Sequence, residues 1–322
     1  MTQVSMTPRQ PPGILQQRLN HPCRTIRVKV NVSVNGILVI DKPVGITSRD
    51  AVDGVQRCLP RDVKIGHTGT LDPLASGVLV LCLGHATRLA EFVQMMPKSY
   101  EAEFTLGARS ATDDAEGPIT TSFDVDLPDR TEIEKTLPQF VGVIDQIPPA
   151  FSAAKVSGQR AYDVARRGRS ATLTPRAIRI DRIEIQEYDA PKLRLAIDCG
   201  KGTYIRSLAR DLGDKLGCGG YVSALRRTRV GPFTASVAIR SDCRDYSTHL
   251  QPTTAAVALL PPLTVTPEDA TRVRHGQRIQ TTHAYEQEFV ALLDSNGELV
   301  GIARPVEDRK ILQPDRVIPH DE

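Results

Sequence analysis

Apolar residues recur with two different periods along this chain, and the switches between them mark its elements. Gly36-Ile37-Leu38-Val39-Ile40 is an unbroken apolar run, the pattern of a buried strand, and Asp41-Lys42-Pro43-Val44-Gly45 is a turn-rich exit from it. Ser48 is placed to cap a helix whose apolar positions Val52, Val55 and Leu59 keep helical spacing up to Pro60. Val78 to Leu83 predicts a second buried strand. Thr87 to Met96, with Leu89, Ala90 and Val93 on one side, predicts an amphipathic helix. Tyr100, Ala102, Phe104 and Leu106 then alternate with Glu101, Glu103 and Thr105, which predicts a half-buried strand with Tyr100 on its inward face.

Further along, Thr131 and Glu134 form a capping-box pattern for a short helix through Ile133, Leu137 and Phe140. Alternating strands are predicted at Ile178 to Gln186 and at Lys192 to Cys199. Ile205, Leu208, Ala209, Leu212 and Leu216 follow at i, i+3, i+4, i+7 and i+11, an amphipathic helix ended by Gly217. After the stiff Pro261-Pro262 junction the pattern changes again. Thr266-Pro267-Glu268-Asp269 opens a helix that closes at His275-Gly276, and short strands at Phe289 to Asp294, Leu299 to Ala303 and Lys310 to Ile318 surround a hairpin signal, Asn296-Gly297.

Composition adds bounds. The 322 residues suffice for one large domain and a smaller one, and no apolar run approaches the roughly 18 residues of a membrane span. A formal net charge of +3 does not by itself argue for nucleic acid, but its distribution matters more than its sum. Arg160, Arg166, Arg167, Arg169, Arg176 and Arg179 form one basic cluster, beside the rigid segment Pro148 to Lys155, and Arg226, Arg227 and Arg229 form a second. Each can be read as a phosphate-facing surface or as a solvated face. Six scattered cysteines without a CxxC pair argue against a zinc site and a disulfide scaffold, so a reducing cytoplasm is expected. Residues 1–35 hold basic residues and several prolines, and read as a basic, disordered extension.

The densest chemistry lies in Gly66-His67-Thr68-Gly69-Thr70-Leu71-Asp72-Pro73-Leu74-Ala75-Ser76-Gly77, where glycines and hydroxyls crowd around one carboxylate. Glycine lets the backbone approach a ligand closely, and the proline holds Asp72 extended. The polar stretch Gly107 to Asp129 also carries acids, Asp113, Asp114 and Glu116, but their spacing does not match a calcium loop and turn chemistry is the simpler reading. A second glycine-rich turn, Gly200-Lys201-Gly202-Thr203-Tyr204-Ile205-Arg206, opens the amphipathic helix. It lacks the order of a P-loop, which removes the basis for a nucleotide hydrolase.

Five collinear stretches carry a family resemblance: Asp41 to Ser48, Gly66 to Leu79, Pro148 to Lys155, Gly202 to Arg206 and Ala224-Leu225-Arg226-Arg227-Thr228. From about Gly36 to about Phe233 the chain resembles the TruB family of tRNA pseudouridine synthases, with Ile40 and Gly200 as small departures from its usual pattern. The resemblance implies an α+β fold: a catalytic core with a mixed, largely antiparallel sheet flanked by helices over residues 36–260, an RNA-gripping insertion around 105–180, and a small PUA-like β-barrel over residues 261–322. It implies isomerisation of uridine to pseudouridine at position 55 in the T loop of tRNA, on a flipped-out nucleotide, with no cofactor and no metal. Asp72 is the catalytic carboxylate by this resemblance, acting by base attack, sugar attack or sugar deprotonation. Arg206 pairs with it and lowers its pKa, Tyr100 stacks on the uracil, and Tyr204 relays the C5 proton. His67 supports the flipped arrangement, Leu225 walls the uracil pocket, Lys42 supports that pocket, and Arg166 and Arg167 bind the substrate. The loop's glycines are expected to make room for the nucleotide. The expected partner is the tRNA T-arm, without guide RNA, without a membrane, and with the protein a monomer. A guide-RNA-dependent relative and an RNA-binding or RNA-folding module are the competing readings.

Overall fold

A computed structural model describes residues 34–121, 126–151, 155–156, 159–160 and 173–319, all within one compact unit. The chain enters through β1 (Gly36–Lys42) and α1 (Ser48–Gln56), then pairs β2 (Ile65–His67) with β3 (Ala75–Leu83). A 3₁₀ turn over Gly84–Leu89 runs into α2 (Ala90–Met95) and β4 (Lys98–Leu106). A small hairpin, β5 (Ala108–Ser110) and β6 (Ile119–Thr121), precedes α3 (Arg130–Thr136) and β7 (Gly142–Gln146). The two-residue strands β8 (Lys155–Val156) and β9 (Gln159–Arg160) are followed by β10 (Arg176–Asp189), β11 (Lys192–Cys199) and α4 (Ile205–Lys215). Then come β12 (Gly220–Val230), β13 (Phe233–Thr234) and β14 (Ile239–Arg240). The last region holds β15 (Pro262–Thr264), α5 (Pro267–Arg274), β16 (Ile279–Gln280), β17 (Val290–Leu293), β18 (Leu299–Val306) and β19 (Ile311–Val317).

Ten strands form one mixed sheet in the order β14-β1-β3-β12-β4-β11-β10-β7, with β13 beside β12 and β2 beside β3. Its two halves differ in burial, and the sequence pattern shows why. β1 and β3 are apolar over Ile37–Ile40 and Val78–Leu83: Leu38, Ile40, Leu79 and Leu81 face one core, while Ile37, Val39, Val78 and Val80 face another. A strand covered on both sides reads as a continuous apolar run. β4 and β11 alternate instead, so one face carries Tyr100, Ala102, Phe104, Leu193, Leu195 and Ile197 into the first core. The opposite face is solvated and crossed by ion pairs such as Arg194–Glu103 and Arg182–Asp198. α1 and α4 cover the first core with Ala51, Val52, Val55, Ile205, Leu208, Ala209 and Leu212.

The second core is shared. Phe289, Ala291, Leu299, Ile302 and Ile318 of the last region pack with Ile37, Val39, Val78, Val80 and Phe92, and Phe289 meets Phe92 edge-on at 5.0 Å. The five strands β15-β17-β18-β19-β16 therefore rest on the back of the large sheet, and their order is that of an open, curled sheet and not of a closed barrel. The Asn296-Gly297 turn lies in the β17–β18 hairpin, with the Asp294 carboxylate accepting from the Asn296 and Glu298 amides. Among the described residues, no helix is long and apolar enough to cross a membrane.

Three expectations need correction. The cap of α1 is Thr47, in a capping box with Asp50, which frees the neighbouring Ser48 for another task. The box that opens α3 is Asp129 with Glu132, two residues earlier than Thr131 with Glu134; Ile133 and Leu137 are buried either way, so the apolar spacing did not distinguish the two starts. The segment before β4 begins as a 3₁₀ turn at Gly84, where the Thr87 hydroxyl bonds the Gly84 carbonyl at 2.7 Å, and becomes α-helical only from Ala90.

Candidate active site

The Asp72 loop hangs between β2 and β3 and is pinned from several sides. The buried Ser48 hydroxyl donates to the Leu71 carbonyl at 2.9 Å and accepts from the Leu71 amide at 2.8 Å, tying the residue before Asp72 to α1. The Gly45 amide bonds the Pro73 carbonyl at 2.8 Å, and the Asp72 carbonyl accepts from the Ala75 amide at 3.0 Å. The backbone of the loop is thus spoken for, while the Asp72 side chain remains 37 % exposed.

Arg206 meets that carboxylate from the first turn of α4. Its Nε lies 3.0 Å from Asp72 Oδ2, and its Nη1 lies 3.2 Å from Asp114 Oδ2 and 3.2 Å from the Thr112 carbonyl. Nη2 donates to the Phe151 carbonyl at 2.9 Å. Asp114 is almost wholly buried and also accepts from the Thr112 hydroxyl and the Glu116 amide. The guanidinium therefore bridges one enclosed carboxylate and one open one. A buried charge of this kind needs its hydrogen-bonding capacity filled, and Arg206 fills it.

The start of α4 is itself held in place. Gln146, buried at the end of β7, accepts from the Tyr204 amide at 2.9 Å and donates to the Tyr204 carbonyl at 3.1 Å. The Ser207 hydroxyl bonds the Ile147 carbonyl, and Arg210 reaches both that carbonyl and Asp113. Tyr204, half-buried, is thus the residue at which β7 fixes the helix that carries Arg206.

Burial is the largest influence on the Asp72 carboxyl and raises its pKa, as does the neighbouring Asp114; Arg206, Lys42 and Arg227 pull the other way. Arg206 acts in the expected direction, but the net displacement is upward, because the loop encloses the carboxyl on all but one side. Lys42, fully buried at the end of β1, donates to the Pro43 and Ile46 carbonyls at 2.9 and 2.7 Å. Burial pushes its ammonium down to about 8 against the pull of Asp72. His67 ends β2 with its Nδ1 buried and without a hydrogen-bond partner among the described residues, and burial together with Arg227 and Arg49 favours its neutral form.

Tyr100 faces the same space from β4, and burial raises its phenol. On β12, Leu225 pairs with Ala75 on one side and Ala102 on the other, and Arg227 pairs with Gly77 and Tyr100. Gly77 is held at φ +101°, and a Cβ there would lie 2.2 Å from the Arg227 carbonyl oxygen. That glycine lets β3 approach β12, so the room expected for a nucleotide is not what it provides. Arg166 and Arg167 lie outside the described residues.

The structure bonds Arg206 to Asp72, sets Lys42 and Tyr100 within reach of its charge, places Leu225 beside Ala75, and adds residues that the pattern reading missed. Asp114 stood among three acids read as turn residues, and nothing in the spacing singled it out. Arg227 was grouped with Arg226 and Arg229, yet Arg226 pairs with Asp41, Arg229 with Asp198, and Arg227 is buried, so the three do not form one phosphate-facing patch. Strand parity was the available signal, since Arg227 shares its parity with the inward Leu225.

Three family models match consecutive parts of the chain. They are the TruB family pseudouridylate synthase N-terminal domain at residues 57–205, the tRNA pseudouridylate synthase B C-terminal domain at 206–254, and the pseudouridine synthase II TruB C-terminal model at 261–318. The chain is 39 % identical over 302 residues to a tRNA pseudouridine synthase B of Pseudomonas fluorescens, covering 91 % of this chain and 97 % of that protein. It is 38 % identical over 298 residues to its namesake from Burkholderia mallei, covering 89 % and 97 %. Among solved structures, it is similar to a chain of a Cbf5-Nop10-Gar1 complex, with a TM-score of 0.69, 27 % identity and coverage of 88 % of this chain and 85 % of that one. Fold and family models are those of a pseudouridine synthase, an isomerase. Within that class, the chain belongs to the TruB family of tRNA pseudouridine synthases.

Proposed function

We propose that this chain converts uridine 55 in the T loop of tRNA to pseudouridine, with Asp72 as the catalytic carboxylate and without a guide RNA or cofactor. The observation that carries the reading is the Asp72 side chain, open to solvent on one side and bonded by the buried Arg206 on the other. The reaction breaks the bond from the ribose C1′ to N1 and forms one from C1′ to C5; C5 gives up a proton and N1 gains one. A carboxylate at the glycosidic bond serves each route by which that exchange can begin: attack on the base, attack on the sugar, or removal of a sugar proton. Arg206 orients the carboxylate and stabilises its charge. Tyr100 offers its ring to the uracil, Leu225 forms an apolar wall, His67 supports the flipped arrangement, and Lys42 holds the turn beneath. Tyr204 takes and passes the C5 proton.

A base stacked inside a folded loop is out of reach, so the nucleotide has to be extruded, at a cost of a few kcal/mol. Arg166 and Arg167, in the insertion around 105–180, together with the C-terminal sheet, supply contacts to the T-arm backbone in this reading. Guide independence is supported by the higher identity to the relatives named tRNA pseudouridine synthase B than to the Cbf5 chain, 39 % against 27 %. The free described cysteines fit a reducing cytoplasm, where the protein acts as a monomer.

The test is release of tritium from C5-labelled uridine in an unmodified tRNA transcript, followed by mapping of the product. One equivalent is expected without added RNA, and none from a transcript with cytidine at position 55. Release from the cytidine transcript would overturn the position, and dependence on a second RNA would overturn guide independence.

A further inference from the structure

Arg227 is 3 % exposed, and among the described residues it has no carboxylate within ion-pair distance. Its Nε donates to the Val78 carbonyl at 2.8 Å and its Nη2 to the Gly69 carbonyl at 2.9 Å, and the strand register sets it directly opposite Tyr100. These three residues lie on different pieces of the site: Val78 on β3, Gly69 in the Asp72 loop, and Tyr100 on β4. If filling space were its only role, an apolar side chain of similar volume would serve as well, because a buried ion costs more than it returns unless its bonds organise something. A planar fork with donors in fixed directions is suited to holding two carbonyls at one relative position beside the residue opposite it on the next strand.

We infer that Arg227 is a positioning residue for the isomerisation, locking the Tyr100 ring and the Asp72 loop into one geometry around the uracil. It does not touch the reacting atoms; it acts through the two groups that do. The inference rests on the roles given above to Asp72 and Tyr100. Its charge also reaches the other groups at the opening, since it lowers the pKa of Lys42, His67 and Asp72.

The experiment uses the full chain and unmodified tRNA, with single-turnover tritium release measured beside the tRNA dissociation constant. Arg227→Lys keeps the charge but lacks the planar fork that bonds both carbonyls in fixed directions. It is expected to slow the rate about 10- to 100-fold, at a tRNA affinity within about twofold of wild type, on the scale of displacing catalytic groups by an ångström. Tyr100→Phe alters the residue opposite the guanidinium and slows the same step. If the two act as a unit, the double variant is no more than about threefold slower than the slower single one. Multiplying effects, a wild-type rate in Arg227→Lys, or a loss of affinity that accounts for the loss of rate would each overturn the inference. Should Arg227→Lys fail to fold, Arg227→Gln still decides, since its single amide cannot keep both carbonyl bonds and their loss has to raise amide hydrogen exchange in residues 68–78. Unchanged exchange there overturns the link. Asp72→Asn is run alongside: tritium release by that protein would remove the proposed function itself, a failure distinct from any result at Arg227.

Discussion

Asp114→Asn isolates what the enclosed carboxylate does for the open one. Asparagine keeps the shape and an acceptor for the Thr112 hydroxyl, but it removes the negative charge 3.2 Å from Arg206 Nη1. Arg206 then has Asp72 as its sole ion-pair partner among the described residues. Two consequences follow, and both have signs. Asp114 raises the Asp72 carboxyl directly by like-charge repulsion and indirectly by sharing its guanidinium, so its neutralisation lowers the pKa of Asp72. The acidic limb of the rate profile, where activity is lost as pH falls through the Asp72 pKa, moves to lower pH. At the same time, Arg206 loses a bond to a charged partner, worth about 1.5–3 kcal/mol, and holds the Asp72 charge more tightly to itself. At about 1.4 kcal/mol per tenfold, the step slows by roughly 10- to 150-fold. The assay is single-turnover tritium release across pH with enzyme in excess, alongside filter binding of tRNA and a thermal melt to establish folding. A folded Asp114→Asn protein with the wild-type rate and an unmoved acidic limb would refute the reasoning.

Removing the Gln146 side chain (Gln146→Ala) strands the Tyr204 amide and carbonyl and is expected to cost roughly 1–3 kcal/mol in denaturant unfolding, with slower tritium release at unchanged tRNA affinity. Gly77→Ala drives a Cβ into the Arg227 backbone at a positive φ and is expected to lower stability by at least about 1–3 kcal/mol, whereas Gly66→Ala, whose Cβ would meet nothing within 4 Å, melts with wild type. Equal melting of the two alanine variants contradicts the close approach of β3 to β12. Replacing Arg166 and Arg167 is expected to weaken tRNA binding and flatten its salt dependence while sparing the single-turnover rate; a collapsed rate at full affinity would show that they are not phosphate contacts.

Most of the strands and the two core-covering helices could be read from apolar spacing because burial imposes the period directly. β1 and β3 read as continuous runs since both faces are covered, and β4 and β11 alternate since one face is wet. What could not be read was the pairing of polar groups distant in sequence. Ser48 bonds Leu71, Gln146 bonds Tyr204, and Asp114 bonds Arg206 across 92 residues; no local pattern sets such a choice. Capping boxes failed for a related reason. Thr47 and Ser48 are both competent caps, as are Asp129 and Thr131, and the tertiary contact made by Ser48 decided the first case. The upward displacement of the Asp72 carboxyl belongs to the same class, since Arg206 was visible as a partner but the enclosure that outweighs it was not.

The central claim is that one carboxylate, held by one guanidinium, performs the isomerisation. Asp72→Asn preserves the shape of the loop and removes only the charge facing Arg206 at 3.0 Å. With C5-tritiated, unmodified tRNA in a single-turnover reaction, the account predicts that this protein binds tRNA as wild type does and releases no tritium above background. Full release by Asp72→Asn would contradict it.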